Sequence, residues 1–181
     1  IFISDIDEIP KLDNFNINLI KDDIIFFKQK MFYYKFNLCS QSIDWFGTRA
    51  CKKKKLLSPQ WLRNIKAKKY PIWRFDTFFS EKKYTNLKII DDGGWHFSYV
   101  NTAEEIEKKL KNYAHYREYQ LTPLGVENIK ERIINKTSVY NLHTDMRKSK
   151  FNSGQKLKKV NLDTLPTYLK INKNKYINWL E

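Results

Sequence analysis

A mixed α/β domain, with a sheet flanked by helices, is predicted by three features of the 181-residue chain. Runs rich in β-branched and aromatic residues fill much of the first hundred positions, as strands require. Two amphipathic helical patterns follow residue 100, each with its own start signal. Hydrophobic content of 41% and aromatic content of 15% exclude a disordered chain despite 30% charged residues. The length suits one domain with a sizeable core.

The elements follow in order. Ile1-Phe2-Ile3 opens as a strand and ends in the acidic turn Asp5-Ile6-Asp7-Glu8-Ile9-Pro10. If strand geometry persists past Ser4, Asp5 and Asp7 point to the same side, because side chains alternate with period two. Residues 24–27 (IIFF) and 31–38 (MFYYKFNL) read as two strands, and residues 45–51 as a third extended piece. Four lysines at 52–55 interrupt it as a solvated loop. Ser58 and Pro59 signal the start of a short basic helix to about Lys66, with residues 70–79 aromatic and irregular. Residues 87–90 and 95–99 read as strands joined by Asp91-Asp92-Gly93-Gly94, whose glycines permit positive φ and close backbone approach. Thr102 and Glu105 have capping-box spacing, with Ile106, Leu110 and Tyr113 on one face of a helix ending near His115. A second helix runs from Thr122-Pro123 to about Asn135, residues 141–160 are polar loop, and Leu165-Pro166 leads into a last helical stretch.

Charge is uneven. The net value of +14 points to an anionic partner: nucleic acid, phosphorylated ligand or membrane surface. Residues 1–23 nevertheless hold two lysines against six acids, a balance of −4, which leaves +18 on the remainder. An acidic knot in a basic chain suits a cation with a phosphorylated ligand. The lysines sit in a Lys/Asn/Ile-rich composition, so their number alone is weak support for nucleic-acid binding. Cys39 and Cys51 have no zinc or disulfide spacing and read as two reduced thiols within strands. No apolar run reaches transmembrane length and no signal peptide is visible, which leaves a cytoplasmic or membrane-associated location open.

Three clusters carry candidate chemistry. Asp5 and Asp7 are oxygen ligands of the kind that hard cations such as Mg²⁺ or Mn²⁺ prefer, the alternative being a solvated turn. In the second cluster, Trp95 offers an indole for sugar stacking beside Asp92 and His96, the alternative being a hairpin with Trp95 in the core. His115, Arg117 and Glu118 form the third, where His115 is either ligand or helix-terminal cap. No P-loop, GxGxxG or nucleophile triad is present.

In order along the chain, residues 5–10 (DIDEIP), 32–38 (FYYKFNL), 45–49 (WFGTR), 93–99 (GGWHFSY) and 113–118 (YAHYRE) resemble glycosyltransferase family 17. That family includes enzymes that add bisecting GlcNAc to glycoprotein glycans. The resemblance implies a GT-A-like α/β fold and inverting transfer of a sugar, GlcNAc from UDP-GlcNAc, to a glycan acceptor, with no nucleic-acid partner. It implies Asp5 and Asp7 as ligands of Mn²⁺ or Mg²⁺, with His115 a further metal or diphosphate contact. Asp92 and Glu118 become the candidate bases, Trp95 and His96 sugar contacts, and Arg49 and Arg117 phosphate contacts. Because residue 1 already lies in a strand, the chain is expected to be the C-terminal portion of a single such domain, lacking the nucleotide-binding part. Two other readings are a basic nucleic-acid-binding module, with Tyr70, Trp73 and Phe75 interleaved among cations, and a non-catalytic carbohydrate-binding remnant.

Overall fold

In a computed structural model, the described residues are 1–181 except 14, 17, 19, 114, 115 and 142–148. The expected α/β class holds: seven strands form a mixed open sheet with helices beside it. The strands are β1 (Phe2–Ile3), β2 (Glu8–Pro10), β3 (Ile24–Tyr33), β4 (Leu38–Cys51), β5 (Leu87–Ile90), β6 (Gly94–Tyr99) and β7 (Leu157–Lys159). They are hydrogen-bonded in the order β1-β4-β3-β6-β2, with β5 on β3 and β7 on β4. The helices are α1 (Pro59–Asn64), α2 (Ala103–Asn112), α3 (Tyr116–Leu121), α4 (Gly125–Ile134) and α5 (Thr167–Ile171). Among the described residues no helix is long and apolar enough to cross a membrane.

The chain divides into two compact units, residues 1–30 with 44–96 and residues 31–43 with 97–181. In the first unit, β1 and β2 run antiparallel to β4 and β6, while β5 lies parallel to β3. Ile24, Phe26, Leu62, Ile65 and Leu87 fill one core there, and Ile25, Phe27 and Ala50 another. Residues 24–27 of β3 are therefore buried on both faces, which is why they read as a continuous apolar run rather than an alternating one. In the second unit, β7 pairs antiparallel with β4 through Leu38↔Lys159. Its core gathers Tyr33, Tyr99, Ile106, Leu110, Tyr119 and Ile129, with α2 packed on α3 and α4.

The largest differences from the expected elements lie in β3 and β4. Residues 24–33 form one strand where two were expected, and residues 34–37 form a turn with Tyr34 at φ 63°. β4 then runs fourteen residues, beginning at Leu38, well before the expected start at Trp45, and ending at Cys51 as expected. Polar residues inside a long central strand hid this continuity. The helix expected to reach His115 stops at Asn112, and α3 begins afresh at Tyr116. Thr102 does cap α2, its Oγ1 accepting from the Glu105 N–H at 3.3 Å. Asn101, rather than Glu105, accepts the Thr102 N–H, at 2.9 Å. The residues 141–160 loop contains β7, and both cysteines are free and buried in β4.

Leu110 is fully buried at the centre of the second unit's core. Leu110→Ala is expected to cost roughly 2–5 kcal/mol in urea unfolding. Loss of the cap in Thr102→Ala costs about 1 kcal/mol in the same measurement.

Candidate functional site

The acidic segment does not continue β1. The Glu8 N–H donates to the Asp5 carbonyl at 3.1 Å, closing a turn whose tip, Ile6, is fully exposed. Strand geometry ends at Ile3, so the expected parallel display of Asp5 and Asp7 is replaced by divergence. Asp5 meets Arg63 at the end of α1, in a two-pronged pair at 2.5 and 3.0 Å. Asp7 Oδ1 lies 3.5 Å from His96 Nε2, long for a hydrogen bond.

Glu8, between these two pairs, is the buried acid of the turn, only 6% exposed. Its carboxylate accepts the indole N–H of Trp45 at 2.7 Å and the backbone N–H of Asp5 at 2.9 Å. Gly47 makes room for this arrangement, since a Cβ at that position would overlap both the Glu8 carboxylate and the Trp45 indole. Beneath the turn a chain of donors runs inward to outward: Gln29 to Thr48 at 3.0 Å, Thr48 with Ser4 at 2.7 Å, and Ser4 to the Glu8 carbonyl at 2.9 Å. Gln29 and Thr48 are buried, and linked hydrogen bonds of this kind hold polar groups in a core at low cost.

β6 supplies the other wall. Glu8 pairs in register with His96 and Pro10 with Gly94. Gly94, at φ 135°, lets β2 approach to where any Cβ would strike the Ile9 carbonyl. The Trp45 and His96 rings lie 4.8 Å apart and 31° from parallel. His96 is 4% exposed, and its buried Nδ1 has no hydrogen-bond partner. Asp5, Glu8, Trp45, Gly47, Arg49 and Arg63 line a cavity of about 90 Å³ beside the turn. At roughly 30 Å³ per water, that space holds a few solvent molecules or one small substituent.

The other expected site residues have varied placements. Trp95 is 7% exposed, so its indole belongs to the interior and gives no open face for stacking; half-buried Trp45 is the exposed-side aromatic. Arg49 donates to the Leu62, Arg63 and Ile65 carbonyls and covers the Phe26 ring, so it finishes α1 instead of waiting for phosphate. Burial, and then the nearby Arg63 charge, lower its proton affinity. Asp92 sits at φ 49° between Lys11, at 2.5 Å, and Lys30, at 3.3 Å. Burial pushes its carboxyl up, but the two ammonium groups outweigh this and hold it below the usual range. In the second unit, Glu118 pairs with Lys150 at 2.8 Å and Arg117 is exposed. His115 lies outside the described residues.

The donor set of the turn does not fit a divalent cation as it stands. Both Asp5 oxygens already face Arg63, and Asp7 faces His96. Among the described residues no group of three or more His, Cys, Asp or Glu side chains is arranged to hold a metal. Glu8, Trp45, Gly47 and Arg63 are the site residues that the sequence reading did not single out. Trp45 and Gly47 lie in the WFGTR block and Glu8 in DIDEIP, whereas Arg63 lies in no block. Comparison with protein families, curated proteins and solved structures finds no match.

Glu8→Ala strands two donors beside a buried space and is expected to destabilise the chain by roughly 1–3 kcal/mol in chemical unfolding. Glu8→Gln keeps a carbonyl oxygen for Trp45 and loses less; equal losses for the two variants would contradict the Glu8 role. Asp92 gives a pH signature. Its folded-state carboxyl is depressed, so its stabilising effect is present above the unfolded value near 3.9 and is lost as pH falls through the folded one. Acid unfolding of Asp92→Asn should accordingly show a shallower loss of stability below about pH 4 than the parent chain.

Proposed function

We propose that the chain takes part in inverting glycosyl transfer, moving a sugar from a nucleotide donor to a glycan hydroxyl. GlcNAc from UDP-GlcNAc is the donor the sequence resemblance implies. The observation that carries this reading is the convergence of three sequence blocks on one turn. Residues 5–10 lie against residues 94–96 through the β2–β6 ladder, and Trp45 joins them through Glu8 and His96. These blocks are far apart in the chain, yet they supply an aromatic face and a carboxylate beside an imidazole, while Arg63 of α1 pairs with Asp5.

Inversion requires a base that removes the acceptor proton as its oxygen attacks the anomeric carbon. The bond from that carbon to the diphosphate breaks on the opposite face. Asp7 is the acid of the turn suited to this task. Its side chain is a quarter exposed, whereas Glu8 is buried and Asp5 is held by Arg63. His96 Nε2 lies 3.5 Å from the Asp7 carboxylate. Asp92 is a poorer base, because two lysines favour its charged form and weaken its hold on a proton. Trp45 supplies an aromatic surface for a sugar's C–H face.

The test is transfer from UDP-GlcNAc to a mannose-bearing glycan, read as a mass gain of one N-acetylhexosamine. Asp7→Asn should lower kcat by roughly 10²–10⁴-fold with KM little changed, the range expected for loss of a general base. Unchanged turnover in Asp7→Asn would remove Asp7 from the chemistry. Absence of both transfer and nucleotide-sugar binding in the parent chain would overturn the function itself.

A further inference from the structure

Residues 66–83 of the first unit form a loop that turns large apolar side chains outward. The Lys66 N–H donates to the Lys82 carbonyl at 2.8 Å and closes the base of the loop. Within it, Thr77 and Tyr70 are buried, while Ile72, Trp73, Phe75, Phe78 and Phe79 are each at least 70% exposed. Five large apolar side chains within eight positions exceed the scattered exposure that folded surfaces normally carry. The loop is not loosely held at that point. Arg74 N–H bonds to the Pro71 carbonyl, a 3₁₀ turn spans Phe75–Thr77, and the Thr77 hydroxyl donates to the Arg74 carbonyl at 2.7 Å.

Cations flank the apolar tip along the chain. Residues 66–83 contain Lys66, Lys68, Lys69, Arg74, Lys82 and Lys83 against Asp76 and Glu81, a net of +4. Asp76 is neutralised within the loop by Arg74 at 2.7 Å and Lys83 at 2.6 Å, and these partners hold its carboxyl well below the ordinary range. Lys66, Lys68, Lys69 and Lys82 are exposed.

We propose that this loop docks the protein on an anionic lipid bilayer, with the apolar tip entering the headgroup boundary and the lysines facing acidic headgroups. Apolar insertion combined with basic attraction is the arrangement by which peripheral proteins hold such surfaces, and Trp favours that depth. Other occupants fit less well. A single-stranded nucleic acid could stack on Trp73, Phe75, Phe78 and Phe79, but it offers no apolar phase to the aliphatic Ile72 beside them, whereas a bilayer takes all five side chains. A second copy meeting the same face would bring +4 against +4. The inference is independent of the glycosyl-transfer reading and stands or falls apart from it.

Co-sedimentation with phosphatidylcholine vesicles, with and without phosphatidylserine, tests it. Binding should need phosphatidylserine and weaken as salt is raised. Each lysine near the surface is worth about fivefold, so replacing Lys66, Lys68, Lys69 and Lys82 together by Gln should weaken binding roughly 100-fold or more. Trp73→Ala with Phe79→Ala should also release the protein, while Trp73→Leu with Phe79→Leu, which keeps apolar tips, should retain most of the binding. All these side chains are exposed, and unchanged thermal unfolding confirms that each variant folds. Vesicle binding that ignores both sets of substitutions would overturn the proposal. So would absent vesicle binding, whether alone, with patch-dependent binding of a single-stranded oligonucleotide, or with patch-dependent self-association.

Discussion

The buried carboxylate of Glu8 is the interaction on which the rest of the candidate site depends. It draws the Trp45 indole N–H and the Asp5 backbone N–H onto one group, and so fixes the acidic turn to β4. A buried carboxylate is costly unless its hydrogen-bonding capacity is met, and here two donors meet it. Once Glu8 is held inward, its neighbours are sorted by the turn. Asp5 leaves toward α1 and Arg63, and Asp7 toward His96. Three acids in four residues thereby acquire three distinct environments, one buried, one paired with a guanidinium and one beside an imidazole.

Two glycines make that constraint sterically possible. Gly47 leaves space where the Glu8 and Trp45 side chains meet, and Gly94 lets β2 come against β6. The β2–β6 ladder then carries His96 under the turn, where its ring packs on Trp45. The buried Gln29–Thr48–Ser4 chain supports the same turn from below and ties its backbone to β3 and β4. A site assembled this way is held by backbone pairing and buried hydrogen bonds, which favours a preorganised over an adaptable geometry.

Much of the fold was legible because local signals were strong. Ser58 and Pro59 marked α1, Thr102 marked α2, and Gly93-Gly94 announced the close approach that Gly94 makes at φ 135°. Residues 24–33 were harder, because Lys28, Gln29 and Lys30 interrupt the apolar run inside a single strand. Gln29 is buried there by a partner nineteen residues away, which no local pattern reveals. The site was legible as blocks and not as contacts. Period-two reasoning assigned Asp5 and Asp7 to one side, but a tight turn at Asp5 to Glu8 interrupts the strand. Trp95 and Trp45 are alike in sequence context, and only the burial of the first separates their roles. Arg49 similarly became a helix-end donor through carbonyls thirteen or more positions away.

Under the proposed function, the acidic turn, Trp45 and His96 read a sugar donor together. Titrating the isotopically labelled protein with UDP-GlcNAc, and following the indole N–H resonance of Trp45 assigned with Trp45→Phe, tests it most directly. Saturable shifts are expected at the Trp45 indole and at the amides of Asp7 and His96, all with one dissociation constant. Shifts confined to other parts of the chain, or a silent spectrum at saturating donor, would contradict it.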